Sequence, residues 1–360
     1  MSWRPSIVDG DGHIFEDGEA IVKFLPDPYR DYRPVLGVFP PLDHIHNGNF
    51  SNRVNTDERR EGPNAIGPVQ WEKFLDDLGL ASTVLYPTAG LAYGKVIDPE
   101  WAIALARAYN DWLAETYVRR NPRFRGMALV PLQDPPAAVE ELRRAVTELG
   151  MCGAMLPSNG LKTHLGAKDY WPVYEEANRL GCAIAIHGGC HDNFGFDDLN
   201  VFAASHALGH PAGIMISFAA MLFNGIFDRF PRMRVAFLEA GVAAYLTLLE
   251  RCDESYRSFP QKTGPAFDLR SGESVADYII RQCHEGRIAF GCEGDELSLP
   301  FAVKVFGPRP FLYSSDFPHE VTLESCRHEI EELLESEELT REAKQAILGD
   351  NSRAFYRLGA

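Results

Sequence analysis

Basic charge is scarce in this 360-residue chain. Its 35 lysines and arginines stand against 51 aspartates and glutamates, a formal net charge of −16. Such a surplus repels phosphate backbones and anionic lipid, so neither a nucleic acid nor a membrane surface is expected as a partner. No CxxC pair occurs among the seven cysteines, and their odd number speaks against a disulfide framework. Reduced, mostly buried thiols in a cytoplasmic protein are the expectation. The opening Met1-Ser2-Trp3-Arg4-Pro5 has no apolar h-region, and no run is expected to reach the ~18 apolar residues of a membrane span. A GxGxxG fingerprint is missing too, which removes the main support for an open dinucleotide-binding sheet.

Short apolar runs alternate with amphipathic stretches along the whole chain. Candidate strands are Ser6–Asp9, Ala81–Tyr86, Phe124–Val130, Cys152–Leu156, Cys182–His187, Met233–Glu239, Arg287–Gly291 and Pro310–Ser315. Several are nearly continuous in Val, Ile, Leu, Ala or Phe, as strands covered on both faces are. Helical patterns fill the gaps. Asp98-Pro99-Glu100 opens one that runs to Val118, and Asp134-Pro135-Pro136 opens a second that stops at Gly150. Others cover Tyr170–Leu180, Ala243–Glu254, Val275–Cys283 and Arg341–Leu358. Eight strands alternating with helices favour a (β/α)8 TIM barrel over an open doubly wound sheet, with residues 1–360 as a single domain. The Pro-, Asn- and Gly-rich stretch from 26 to 68 breaks the rhythm. It reads as an insertion after strand 1, either a lid or an oligomer contact. Residues 257–274 form a smaller insert.

Reactive groups in such a barrel gather where strands end. Asp11 and His13 close the first apolar run; two residues apart, they share one side of an extended segment. His187, Glu239 and Asp316 each end a later run. Two imidazoles and three carboxylates make an N/O set suited to Zn, Mn or Fe. Taken singly, a strand-end carboxylate also reads as the cap of the next helix. His44 and His46 look like a metal pair, but they sit in the irregular insertion and read as part of a lid.

Four ordered motifs carry a resemblance: DxDxH at 9–13, HGG at 187–189, FLEAG at 237–241 and SDFPH at 315–319. Together the chain resembles the amidohydrolase-related branch of the amidohydrolase superfamily, which includes aminocarboxymuconate semialdehyde decarboxylase and the resorcylate-type decarboxylases. The resemblance implies a metal held by Asp11, His13, His187 and Asp316, with Asp316 shuttling a proton. It also implies a small organic acid or aromatic substrate and a dimer. One position departs from it: Glu239 stands where the decarboxylases carry a histidine.

Three carboxylates around one divalent ion leave an excess of about −1, which is costly in a desolvated pocket. Either one is protonated or a second metal is bound. For the second metal, His210 and His206 are spaced to share a helix face, and His191 follows the HGG turn. His319, Glu293 and His191 are candidates for substrate contact. Three readings follow. The first is a hydrolase or non-oxidative decarboxylase, with zinc as the expected metal and Asp316 and Glu239 as catalytic groups. The second is a dinuclear iron or manganese oxygenase on the same barrel. The third is a non-catalytic barrel subunit that supports a homologous partner.

Overall fold

Eight parallel strands stand side by side in sequence order in the computed structural model, which describes residues 3–31, 37–42, 66–191, 194–196, 199–260 and 268–359. They are β1 (Ile7–Ile14), β2 (Leu80–Pro87), β3 (Phe124–Leu129), β4 (Gly153–Pro157), β5 (Ala183–His187), β6 (Arg234–Phe237), β7 (Ile288–Cys292) and β8 (Phe311–Tyr313). Helices between them cover the outside, so β1, β4, β5, β7 and β8 are buried throughout and β2, β3 and β6 are open only near their starts. The ring closes through the chain just beyond β8. Asp316 N donates to Asp11 O at 3.0 Å, and His13 N donates to Phe317 O at 2.7 Å. The fold is a (β/α)8 barrel, and its last seam is made by the segment that carries Asp316.

Local signals set the helix starts. Asp98 accepts from Glu100 N and Trp101 N ahead of Pro99–Leu113, and Asp134 accepts from Ala137 N ahead of Pro135–Thr147. Beyond the latter, Gly150 takes a φ of 74°, a left-handed turn that suits glycine. Buried aromatics join barrel to shell: Tyr245 stacks on Phe290 at 4.0 Å, and Phe218 meets Phe237 at 5.0 Å.

Three expectations need correction. Strand β1 runs through to Ile14, so Asp11 and His13 lie inside it rather than past its end. The extension is paid for by Asp9, whose buried carboxylate accepts from Thr83 Oγ1, Ser315 N, Ser315 Oγ and Asp11 N. It ties β1 to β2 and to the segment after β8. Second, a 22-residue helix, Phe202–Phe223, spans a region read only as a histidine pair. Its Ala203–Phe223 stretch is long and apolar enough to cross a membrane, but here Ile214, Phe218, Met221 and Leu222 are buried against the barrel. Third, the helix read over Arg341–Leu358 runs unbroken only to Tyr356 and carries a π segment, Ala346–Asp350, between Arg341–Gln345 and Asn351–Tyr356. Residues 32–36 and 43–65 of the insertion, including His44 and His46, lie outside the described residues, as do 261–267 of the smaller insert.

Candidate metal centre and active site

The strand tips bring Asp11, His13, His187, Glu239, His210, Asp316 and His319 into one cluster. Asp11 and His13 point inward from β1, and His187 is the last residue of β5. Glu239 and Asp316 lie just past β6 and β8 and hold φ values of 62° and 52°. Left-handed backbone is uncommon for non-glycine residues, and it turns both carboxylates back over the mouth. The helix Phe202–Phe223 supplies His210.

Two imidazoles face each other at the centre, with His13 Nε2 and His187 Nε2 3.1 Å apart. Their other nitrogens settle what those atoms are. His13 Nδ1 lies 2.8 Å from Pro87 O, and His187 Nδ1 lies 3.0 Å from Gly188 O. A carbonyl only accepts, so each Nδ1 carries a proton and each ring turns its Nε2 to the centre. Glu239 and Asp11 outweigh burial and lift His187 to about 10, while burial holds His13 well below the usual range, so His187 Nε2 donates to His13 Nε2. Asp11 Oδ1 joins them at 3.5 and 3.4 Å, buried and without a hydrogen-bond donor. A metal ion bound by these three atoms would take the place of that proton and balance the Asp11 charge. The residues therefore fit a metal ion, with backbone carbonyls fixing the ligand tautomers. Burial lifts Asp11 to about 7, and a nearby cation would reverse that.

A second donor group overlaps the first: His13, Glu239, Asp316 and His319 also lie close enough to share an ion. Glu239 Oε2 sits 2.7 Å from His210 Nδ1 and 3.2 Å from His187 Nδ1. Burial alone would raise its pKa, but the two imidazoles win and hold it well below the usual range. His319 Nδ1 lies 2.8 Å from Asp316 Oδ1, its Nε2 is 3.0 Å from Thr88 Oγ1, and its ring stacks on His13 at 4.0 Å. Burial raises Asp316 despite the His319 imidazole beside it.

These groups open on a pocket of about 330 Å³ that Leu42, Leu91 and Pro211 also line. His206 and Glu293 reach the same pocket, with His206 and His210 ring centres 5.9 Å apart. His191 stands behind the lining, its ring edge-on to His210 at 4.9 Å. The HGG turn has a steric reason: a methyl on Gly188 would strike Glu239 Oε2 and the His210 ring.

Some contributors went unread in the sequence. Glu296 caps the helix Val242–Ser258 through Val242 N and also accepts from Glu293 N. Glu16 gathers the N–H groups of Thr88, Ala89 and Gly90, which holds Thr88 against His319. Neither carries a local motif, since each is defined by backbone groups that only the fold brings near.

Known proteins share this arrangement of strands. The amidohydrolase family profile matches residues 8–358. The chain is 31% identical over 266 residues to gamma-resorcylate decarboxylase of Rhizobium sp., an alignment covering 69% of this chain and 76% of that protein. It is 26% identical over 271 residues to 2-amino-3-carboxymuconate-6-semialdehyde decarboxylase of Dictyostelium discoideum, covering 75% and 71%. In three dimensions it is similar to 5-carboxyvanillate decarboxylase of Novosphingobium aromaticivorans, solved with manganese and a nitrobenzoic acid. The TM-score is 0.73 at 17% identity, over 98% of this chain and 96% of that one. With the family profile spanning both the first and the last strand, the chain belongs to the amidohydrolase family.

Proposed function

We propose that this protein is a metal-dependent, non-oxidative decarboxylase of a small aromatic or unsaturated carboxylic acid. The observation that carries the reading is the convergence of His13 Nε2, His187 Nε2 and Asp11 Oδ1 on one point at the barrel mouth. The decarboxylase relatives supply the reaction class. Asp11, His13, His187 and Asp316 would hold the ion, which neutralises the substrate carboxylate and fixes it in place.

The proton chemistry falls to the protein. Asp316, raised by burial and paired with His319, is placed to give a proton to the carbon that bears the carboxylate. The bond to the carboxylate carbon then breaks, its electron pair restores the unsaturated system, and CO2 leaves. Glu239, kept anionic between His187 and His210, excludes a second negative group from that side and orients the substrate. Zinc was the expected metal, but the solved relative holds manganese, and an oxygen-rich donor set accepts either.

The test is incubation of the manganese-loaded protein with gamma-resorcylate and 5-carboxyvanillate without oxygen. CO2 release, with kcat reduced ~10²–10⁴-fold in Asp316→Asn, is the expected result. A reaction that needs dioxygen would overturn the decarboxylase.

A second reading, two metals in place of one, is favoured by the overlapping donor group and the Glu239–His210 contact. It is the arrangement an oxygenase would use, and metal content per chain separates the two. As assembly we propose a homodimer, supported by the apolar residues Leu208 and Ile216 exposed on the helix Phe202–Phe223 and tested by sedimentation. A cytoplasmic setting is supported by the seven free thiols.

A further inference from the structure

At the other end of the barrel, beneath the strand starts, lies a second cavity of about 180 Å³. It is lined by Arg125 at the start of β3, Arg234 at the start of β6, and Arg357 just after the last helix, with Cys152 and Cys182 between them. Three guanidinium groups around one small cavity are unexpected in a chain whose acids outnumber its bases by 51 to 35. Among the described residues, none of the three pairs with a carboxylate, although most other arginines of this protein do.

Arg125 and Arg234 are half-buried, and Arg357 is exposed at the rim of the cavity. Arg234 Nε donates to Phe355 O at 2.6 Å and its Nη1 to Gly181 O at 2.8 Å, while its Nη2 is buried with no acceptor. Arg125 Nε is likewise buried with no acceptor. Arg357 lies against Gly181 so closely that a methyl there would meet both of its terminal nitrogens at 2.8 Å. Burial, helped by repulsion from Arg357, lowers the Arg234 pKa to about 10. A buried guanidinium donor without a partner costs stability, and neighbouring like charges add to the cost. An anion seated beside the three would offset the repulsion between their like charges.

We infer that this cavity is a binding site for a small doubly charged oxyanion of the phosphate or sulfate type, separate from the metal centre. Planar guanidinium forks suit tetrahedral oxyanions, which accept two parallel hydrogen bonds from each fork. The floor of the cavity makes it distinct: Tyr356, whose hydroxyl pairs with Tyr86 at 2.7 Å and donates to Gly10 O, closes the barrel between this cavity and the metal site.

The experiment uses the full chain with inorganic phosphate, with sulfate, and with chloride at equal ionic strength. Cys152, the one half-buried cysteine, borders the cavity and serves as a local reporter, labelled at pH 9 because burial pushes its thiol up to about 12. Phosphate at ten times its Kd should slow N-ethylmaleimide labelling of Cys152, read by mass spectrometry, by about tenfold, because only the empty fraction reacts. It should also raise Tm by about 2 °C over chloride. Both effects should disappear in Arg125→Gln and in Arg357→Asn, the latter chosen because asparagine tolerates the left-handed φ of 53° at that position. Cys152 labelling that is the same in phosphate, sulfate and chloride would overturn the site even if neither variant folds. A Tm rise that survives in both variants, with Cys152 unprotected, would place the anion at the metal centre and overturn it equally.

Discussion

Glu239 is the residue on which the chemistry of the site turns. Among the described residues its carboxylate is the one charge that touches both His187 and His210, so it is either an orienting group beside a single ion or the bridge to a second. Glu239→Gln keeps the shape and removes the charge. Under the single-ion reading, elemental analysis should find unchanged metal per chain and assays should find kcat down ~10²-fold; a fall from two metals to one would instead establish the dinuclear site. Glu329 offers a test away from the metal. It is 6% exposed, its Oε2 has no hydrogen-bond partner, and burial pushes it up to about 8 from the usual 4.5. A carboxyl raised in the folded state binds its proton more tightly there than in the unfolded chain. Stability should therefore fall as pH rises from 4.5 to about 8, then level off. Glu329→Gln should flatten that slope and gain on the order of 1 kcal/mol at pH 8 in urea melts.

At the scale of elements, most of the barrel was legible because its strands are near-continuous apolar runs bounded by proline, glycine and aspartate. Every predicted strand overlaps an observed one, and Asp11, His13, His187, Glu239 and Asp316 stood out as candidates because they interrupt or end such runs. What escaped has a physical reason in each case. The helix Phe202–Phe223 is apolar on nearly all sides, so it offers no amphipathic period to read. Asp9 and Asp11 are alike in sequence, and only their partners tell them apart: four donors for Asp9, none for Asp11 Oδ1. The arginines of the lower cavity come from three separate elements, with no local spacing to betray them. Gly153 tests the barrel wall directly. A methyl there would land on the Ala183 carbonyl of the neighbouring strand, so Gly153→Ala should force β4 from β5 and cost roughly 2–4 kcal/mol by denaturant titration.

For the whole molecule, the metal centre is also a point of concentrated negative charge in a protein already at −16. Chelation should leave Asp11, Glu239 and Asp316 facing one another and lower Tm by about 5–10 °C, reversibly on return of manganese, as differential scanning calorimetry would record. The place where that loss acts follows from how the ring closes. The hydrogen bonds from Asp316 to Asp11 and from His13 to Phe317 are the final seam of the cylinder, and they belong to the same residues that would grip the ion. Amide exchange at His13 and Asp316 should quicken first when the ion is gone. A chain without its ion is therefore expected to open first along this seam, which limited proteolysis with and without manganese would record as earlier cleavage near His13 and Asp316.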